Sequence, residues 1–297
     1  EARGLAMAIA EELEKRQKLG PGARHAGPRI VVVVDDFDIL ASGGTEPLKP
    51  LLPFLPSARD LRLHVFLTRP VAGASRSMYD VTLQTLRDTG GTVVWDGRYL
   101  PGPWLVERAL AAGFERLPAH GTVTFAIRRS HHIGCLAALC KQATDRGLMA
   151  ILASSGPHSR IVAPFGGREA LFSPNPVAIG FPTAAEPVLV DISASVTTVS
   201  MTRQKAAAGE EFEHPWLLDH AGRPTRDPTV MERTGADRGS LILLGGEEAG
   251  HKGFGLALMV EALTQGLSGH GRLDAPTAWG ASVYLQLIDP AAFAGRD

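Results

Sequence analysis

The chain has 297 residues, of which 44% are hydrophobic and 21% are charged, and its formal net charge is −1. This composition is typical of a folded globular protein long enough for two domains, and it excludes a disordered or collagen-like chain. Residues 1–89 carry 12 basic and 11 acidic side chains, and the rest of the chain carries 18 and 20. Neither part has the basic excess that nucleic-acid binding requires.

The cysteines and the apolar runs bear on the cellular compartment, on membrane insertion and on metal binding. Cys135 and Cys140 are too few for a disulfide framework, and their spacing fits no common zinc site. The apolar runs are shorter than the roughly 20 residues that cross a bilayer, and the N-terminus lacks the signal-peptide pattern. We therefore expect a cytoplasmic protein without membrane insertion or a metal site. We also expect a fragment or composite, since Glu1 is not a methionine and the chain ends abruptly at Asp297.

The first part of the chain predicts a small parallel α/β unit. Apolar residues recur every three to four positions over residues 3–18, which predicts an amphipathic helix. Ile30–Val34 is a β-branched run typical of a strand buried on both faces of a parallel sheet, and Leu63–Thr68 is a second such run. A short helix interrupted by prolines is predicted over Pro47–Ala58, so the two strands form one strand-helix-strand crossover.

The stretch from Trp95 to Trp104 is rich in turn residues and predicts a link between two units. We therefore predict domains over residues 1–89 and 90–297. The elements expected in the second domain are helices over Leu105–Arg116, Gly134–Arg146 and Gly253–Leu267, and strands over Val123–Arg128, Met149–Ala153, Val177–Phe181, Val188–Ile192 and Leu241–Leu244. The last helix is apolar nearly all round, which predicts that it is buried.

Acidic residues follow the first strand. The run Ile30–Val34 continues into Asp35-Asp36-Phe37-Asp38, the form of a Walker B strand whose carboxylates hold Mg²⁺. Such residues also solvate the end of any buried strand, and no G-x-x-x-x-G-K-[ST] cradle for phosphates exists in the chain. With Pro47–Asp60, His64–Arg69 and Met78–Asp80, the segment resembles the C-terminal part of the last ATPase domain of FtsK/SpoIIIE-type ATPases of type VII secretion. The resemblance implies a partial P-loop-like remnant or interaction surface without ATP hydrolysis.

Two adjacent histidines stand out in the second domain. Ser130-His131-His132-Ile133-Gly134 lies between a predicted strand and the first turn of a helix, where backbone N–H groups favour neutral imidazole. Histidine suits the proton transfer that accompanies hydride transfer to or from a 2-hydroxy or 2-oxo acid. A helix-capping role for one histidine is an open alternative. Adjacent side chains point in different directions, which disfavours a shared metal.

Four further segments suit a bound ligand. Asp191-Ile192-Ser193-Ala194-Ser195 follows a strand and offers a carboxylate and hydroxyls to a ribose. Gly250-His251-Lys252-Gly253 leads into a helix and could hold phosphates through N–H groups and the lysine charge. In Ala163–Arg168 and Ser173–Pro176, glycines and prolines fix the backbone shape. Each segment alone fits an ordinary loop equally well, and no G-x-G-x-x-G fingerprint indicates a Rossmann domain.

Taken in this order, the motifs resemble the malate/L-lactate dehydrogenase family of NAD(P)-dependent oxidoreductases, from about Gly91 to the end. The resemblance implies a mixed α/β fold, with a non-Rossmann nicotinamide-binding domain built on a large, mostly antiparallel mixed sheet. It also implies a homodimer, NAD or NADP as cofactor, and a small 2-hydroxy or 2-oxo acid as substrate.

The resemblance also assigns roles to residues. It implies that His132 is the general acid/base and that His131 supports it. Cofactor contacts are implied at Ser154, Ser155, Pro174, Asn175, Asp191, Ile192, Ser193, His251, Lys252 and Gly253. Many members have a glycine-lysine pair where this chain has Ser200-Met201. Residues 1–89 do not supply the family's N-terminal segment, which helps to bind substrate.

We therefore predict an oxidoreductase that transfers a hydride between NAD(P) and a small 2-hydroxy or 2-oxo acid. The alternative is an interaction module derived from a type VII secretion ATPase, without nicotinamide chemistry. Arg160, Arg168 or Arg203 could supply the charge near the ribose 2′ position that selects NADP.

Overall fold

A computed structural model describes residues 2–19, 28–34, 48–58, 61–67 and 82–295. The chain divides into two compact units, residues 1–80 and residues 81–297. The predicted boundary lay at residues 89/90. The structural division falls earlier because strand β3 (Gln84–Asp88) pairs antiparallel with the next strand of the second unit.

The first unit contains α1 (Ala2–Gln17), β1 (Ile30–Val34), a 3₁₀ helix (Lys49–Ser57) and β2 (Leu63–Leu67). Strands β1 and β2 pair in parallel along their whole length, which confirms the predicted pairing direction. The helix between the two strands is 3₁₀, and Pro50, Pro53 and Pro56 in it lack the backbone N–H that regular helical hydrogen bonding uses. The core of this unit consists of Ala6, Leu13, Leu51, Phe54, Leu61 and Leu63.

Two expectations for the first unit concern the burial of β1 and the acidic residues that follow it. Strand β1 was predicted to be buried on both faces, but Val31 and Val33 are exposed, so that prediction is wrong. The reason is that the core of the unit covers only the face of Ile30 and Val32. The acidic group Asp35–Asp38 lies outside the described residues.

The second unit is built on a seven-stranded sheet. Besides β3, its strands are β4 (Thr92–Leu100), β5 (Thr122–Ser130), β6 (Met149–Ser155), β7 (Val177–Phe181), β8 (Val188–Ile192) and β12 (Ala281–Ile288). They lie in the order β3-β4-β5-β12-β6-β7-β8. Strands β4 and β5 are parallel, and the other neighbours pair antiparallel, as the predicted mixed sheet requires.

Helices cover both faces of this sheet. On one face, α2 (Gly102–His120) and α3 (Leu136–Thr144) contribute apolar side chains to the main core with the strands. On the other face, α5 (Gly246–Glu261) continues as a π-helical turn (Ala262–Gly266) and packs on β6 and β12. The helices therefore leave the strand ends free to carry the candidate site.

A smaller cluster adjoins the start of α5. It consists of α4 (Val199–Ala208) and a three-stranded sheet of β9 (Leu217–Leu218), β10 (Pro224–Thr225) and β11 (Ser240–Leu241). A short α6 (Ala291–Ala294) follows β12. Among the described residues, no helix combines the length and apolar character needed to cross a membrane.

The stretch predicted as a link between units is a strand. Residues from Trp95 to Leu100 belong to β4, and its pairing with β5 is irregular between Asp96 and Leu100. Arg98 and Tyr99 have φ values of 47° and 59° there. The prediction is wrong because the turn-forming residues produce a bulge within the strand.

The long apolar helix is also placed differently. It begins at Gly246 rather than Gly253, and it is not buried all round. Leu258, Met259 and Leu267 expose 49%, 60% and 54% of their surfaces. The prediction of full burial is therefore wrong, because only the stripe containing Ala257 and Val260 meets the rest of the unit.

Candidate functional site

A buried carboxylate supports the segment that leads to His132. Asp96 on β4 accepts hydrogen bonds from Nε of Arg128 (3.1 Å), Nε of Arg129 (2.9 Å) and the backbone N–H of Arg98 (3.0 Å). Burial alone would raise the pKa of Asp96, but the hydrogen bonds and charges of these arginines hold it below its usual value. The end of β5 is thereby fixed immediately before Ser130.

His132 lies in the loop between β5 and α3. Its side chain is exposed, and its Nδ1 accepts a hydrogen bond from the backbone N–H of Gly134 (3.0 Å). The N-terminus of α2 packs against this loop at Gly102, where a Cβ would clash with the carbonyl oxygens of His131 and His132. Glycine is therefore required at position 102 for this close approach.

His131 points to different neighbours. Its ring lies 5.0 Å from that of Trp279 and 6.1 Å from that of Tyr99, measured between centroids. Its Nδ1 is buried without a hydrogen-bond partner among the described residues. His158 meets the other side of Trp279, and burial lowers its pKa. The aromatic contacts hold His131 away from the position of His132.

Asp191 joins the His132 loop to the segments predicted to bind cofactor. It is the next-to-last residue of β8 and is exposed, and its Oδ2 accepts a hydrogen bond from the backbone N–H of Ala137 (2.9 Å) in the first turn of α3. The Sγ atom of Cys135 lies 4.0 Å from the same oxygen. Since α3 begins four residues after His132, Asp191 and His132 are tied to the same helix terminus.

Backbone hydrogen bonds link three of the predicted cofactor segments. The Pro174 carbonyl accepts from Ala194 (2.9 Å), the Ala194 carbonyl from Leu244 (2.7 Å), and the Leu244 carbonyl from Gly253 (3.1 Å). A Cβ on Gly253 would lie 2.6 Å from the backbone of Leu244, so this packing requires glycine. The segments around Pro174, Asp191 and Gly253 therefore form one connected surface.

Four of the predicted cofactor residues are buried. Asn175 has a φ of 48° and donates from Nδ2 to the Ala257 carbonyl (3.1 Å). Ser155 exchanges a hydrogen bond with Thr264 (2.6 Å), and Ser154 lies beside it on β6, joined through its N–H to the Pro176 carbonyl. Gly253 is buried at the connection just described. These residues lie beneath the connected surface and support it.

The other predicted cofactor residues lie at or near the surface. Asp191, Ile192, His251 and Lys252 are exposed, and Pro174 and Ser193 are half-buried. The ring of His251 meets that of Phe165 at 5.8 Å. Glu247 and Glu248 lie in the first turn of α5, so that the helix end carries acidic as well as basic side chains.

A cavity of about 330 Å³ lies beside this surface. It is bordered by the loop from Ala163 to Arg168, by Leu243 and by Gly246 at the start of α5. Arg168 lines this cavity, whereas His132 and the predicted cofactor residues are not among its lining residues. The cavity and the His132 loop are therefore separate parts of the described surface.

Sequence reasoning missed several polar residues that support the site. Thr264 and Gln265 bond Ser155, Arg272 reaches Asn175 through Glu261, and Asp96 fixes the end of β5. The short polar stretch that follows the apolar helix is a signal for these residues, but a sequence alone does not identify the partners of their side chains. Within the described residues, no group of three or more histidine, cysteine, aspartate or glutamate side chains is placed to hold a metal ion.

Comparisons with known proteins agree with this architecture. The family described as malate/L-lactate dehydrogenase matches residues 62–297. Hydroxycarboxylate dehydrogenase B of Escherichia coli K12 is 34% identical over 187 residues, which are 63% of this chain and 50% of that protein. The (2R)-3-sulfolactate dehydrogenase (NADP(+)) of Chromohalobacter salexigens is 37% identical over 166 residues, 54% of this chain and 46% of that protein.

Solved structures extend the comparison. A dehydrogenase from Sinorhizobium meliloti has a TM-score of 0.62 at 31% identity, covering 72% of this chain and 62% of that one. An EccC ATPase structure from Thermomonospora curvata has a TM-score of only 0.20 and carries no argument for the predicted ATPase resemblance. The chain spans about half the length of the two curated relatives described above. The match over residues 62–297 and the mixed sheet together show that the chain belongs to the malate/L-lactate dehydrogenase family.

Proposed function

We propose that this chain is an NAD(P)-dependent oxidoreductase acting on a small 2-hydroxy or 2-oxo acid, with His132 as its general acid/base. The observation that carries the proposal is that Asp191 bonds the first turn of α3, which begins four residues after His132. A histidine suited to proton transfer and a carboxylate suited to a ribose therefore both adjoin the N-terminus of this helix. A bound nicotinamide supplies or accepts the hydride.

His132 is suited to moving a proton at Nε2. Because Nδ1 accepts the Gly134 N–H, the neutral ring carries its proton on Nε2. Uptake of a proton at Nδ1 breaks that bond, and the resulting imidazolium donates its Nε2 proton to the oxygen that becomes the hydroxyl. Because the ring is exposed, it can turn away from the Gly134 N–H when this bond breaks.

The donors on the connected surface fit a dinucleotide. Asp191 uses one carboxylate oxygen on Ala137, and its exposure leaves the group able to accept from a ribose hydroxyl. Lys252 and His251 offer charge and a donor to phosphates near the start of α5. We assign direct contact to Pro174, Asp191, Ile192, Ser193, His251 and Lys252, and a supporting role to Ser154, Ser155, Asn175 and Gly253. The exposed and buried positions of these residues support that division.

Arg168 is our candidate for selecting NADP over NAD. It lines the cavity beside the start of α5, and Arg160 and Arg203 do not. Replacing Arg168 by Gln should weaken NADPH binding more than NADH binding. Equal effects on the two cofactors would argue against this assignment.

A homodimer is part of the proposal. Leu258, Met259 and Leu267 form an exposed apolar stripe on α5 and its π turn, and the side chains of Val188, Val190 and Ile192 expose one apolar face of β8. Apolar patches of this kind mark association surfaces. The double substitution Leu258→Glu with Met259→Glu should convert a dimer into monomers in light scattering. A monomeric parent chain would contradict the dimer.

The decisive test is a titration of the purified chain with NADH and NADPH, followed by nicotinamide fluorescence. Pyruvate, oxaloacetate and related 2-oxo acids are then added to follow oxidation. His132→Gln should keep cofactor binding and lower turnover by about 10²–10⁴-fold, the usual contribution of a general acid/base. The control is His214→Gln, which changes an exposed histidine outside the site. Unchanged turnover in His132→Gln would refute its role.

A further inference from the structure

A hydrogen-bonded ring joins three segments behind the connected surface. Arg272 donates to Glu261, Glu261 accepts from Asn175 (3.4 Å), and Asn175 accepts from Ser173 Oγ (2.5 Å). Ser173 Oγ in turn accepts from the backbone N–H of Gly156 (2.8 Å), and Arg272 closes the ring on the carbonyls after Gly156. We call Arg272, Glu261, Asn175, Ser173 and the loop Gly156–Ser159 the Arg272 ring.

The geometry at Arg272 requires a guanidinium group. Its Nε and one terminal nitrogen bind the Glu261 carboxylate, and its other terminal nitrogen donates to the carbonyls of Ser159 (2.7 Å) and Pro157 (3.3 Å). The guanidinium carbon lies over the Phe172 ring, 5.7 Å from the ring centroid. The side chains of Arg272 and Glu261 are 18% and 17% exposed. A lysine ammonium cannot span this set of acceptors with a planar fork.

The ring reaches the proposed cofactor residues. Asn175 holds a left-handed backbone conformation at φ 48°, which is sparsely populated outside glycine and persists when surrounding contacts fix it. Between Ser173 and Asn175 lies Pro174, whose carbonyl holds Ala194 and with it the Asp191–Ser193 segment. The π turn adds Gln265, which donates to Ser155 and accepts from the Arg272 backbone N–H. π turns are frequent at functional sites.

We propose that Arg272, paired with Glu261, is a positioning residue that holds Pro174, Asn175 and the Asp191–Ser193 segment in the geometry that binds the dinucleotide. The inference rests on the proposed function. Arg272 acts through Glu261 and the loop Gly156–Ser159, and it does not itself contact the reacting atoms.

The test compares Arg272→Lys and Ser173→Ala with a matched control. Arg116→Lys is that control, because Arg116 also binds a carboxylate with two N–H groups, that of Asp88, and a loop carbonyl, that of Gly90. Three quantities are measured on the full chain: Kd for NADH and NADPH, the KM values for cofactor and 2-oxo acid, and hydrogen exchange of the Gly156 amide. We expect Arg272→Lys to weaken cofactor binding about tenfold and to speed exchange at Gly156.

The expected pattern separates positioning from general destabilisation. In Arg272→Lys the cofactor KM should rise while the 2-oxo acid KM and kcat stay near those of the parent, and Arg116→Lys should change none of them. Equal loss in the control, or unchanged Kd and exchange in both test variants, would overturn the proposal. If Arg272→Lys does not fold, Ser173→Ala decides by the same measurements. If the parent binds neither nucleotide, the proposed function fails, and exchange at Gly156 alone decides whether Arg272 orders the ring.

Discussion

Buried polar groups support both the His132 loop and the connected surface proposed to bind the cofactor, called the cofactor surface below. The two supports distribute charge differently. Behind the His132 loop, one carboxylate, Asp96, serves two arginines. Behind the cofactor surface, Arg272 and Glu261 balance each other, and each also bonds uncharged groups: Arg272 bonds backbone carbonyls, and Glu261 bonds Asn175. The first support therefore depends on a single ionised group, whereas the second is shared among several partners.

The largest expected effect tests the single-carboxylate support. Asp96→Asn leaves Arg128 and Arg129 without their counterion and should lower the free energy of unfolding by about 3 kcal/mol, the scale for breaking a buried pair. Urea unfolding measures this difference. The control is Asp145→Asn, which removes an exposed carboxylate paired with Lys141 and should cost under about 1 kcal/mol. An equal loss of unfolding free energy in the two variants would show that Asp96 supports the fold no more than an exposed ion pair does.

A smaller loss is expected behind the cofactor surface. Asn175→Ala removes three side-chain hydrogen bonds and places alanine, which tolerates the left-handed backbone less well than asparagine, at φ 48°; together these should cost about 2 kcal/mol. Asn175→Gly relieves the backbone strain and loses only the hydrogen bonds. If alanine and glycine destabilise the protein equally in urea unfolding, the left-handed backbone contributes nothing.

Lowering the pH distinguishes the two supports, because the stabilisation by Asp96 requires its carboxylate to be ionised. Since the folded pKa of Asp96 lies below its unfolded value of about 3.9, its stabilisation is present above pH 4 and is lost as the pH falls through the folded pKa. Asp88, held by Arg116, also has a lowered pKa, about 2.

The matched measurement is therefore the stability difference between each variant and the parent from pH 5 to pH 2. The deficit of Asp96→Asn should shrink as the pH falls. The deficit of Asn175→Ala should change less, because Asn175 is not ionisable and only one of its hydrogen bonds, that to Glu261, involves a carboxylate. A constant deficit for both variants would show that Asp96 does not supply acid-sensitive stability.

The smallest effect concerns the two cysteines. Cys140 is buried in the main core, which raises the pKa of its thiol to about 12, whereas Cys135 is exposed beside Asp191. N-ethylmaleimide should therefore label Cys135 and spare Cys140, as read by mass spectrometry of peptides. Saturating cofactor should slow the labelling of Cys135 if the dinucleotide lies against Asp191. Rapid labelling of Cys140 would contradict its burial.

Much of the fold could be predicted locally. The strands Ile30–Val34, Val177–Phe181 and Val188–Ile192 have the predicted bounds, because a β-branched run carries its strand preference in adjacent residues. The stretch after Trp95 misled the prediction, since glycine and aromatic residues suit a bulge inside a strand as well as a link. The exposed stripe on α5 was also missed, because an apolar helix face does not reveal what covers it.

In the candidate site, too, some features follow from the sequence and others only from the tertiary structure. The sequence alone determined the order of the motifs, the family to which the chain belongs, and the residues proposed for proton transfer and cofactor contact. Only the tertiary structure decided that Asp96 meets Arg128 and Arg129, and that Arg272 and Glu261 close a ring through Asn175. The physical reason is distance along the chain: a helix or strand preference is local, whereas Asp96 meets Arg128 and Arg129 across 32 and 33 residues, and Asn175 meets Glu261 across 86, only when the chain has folded.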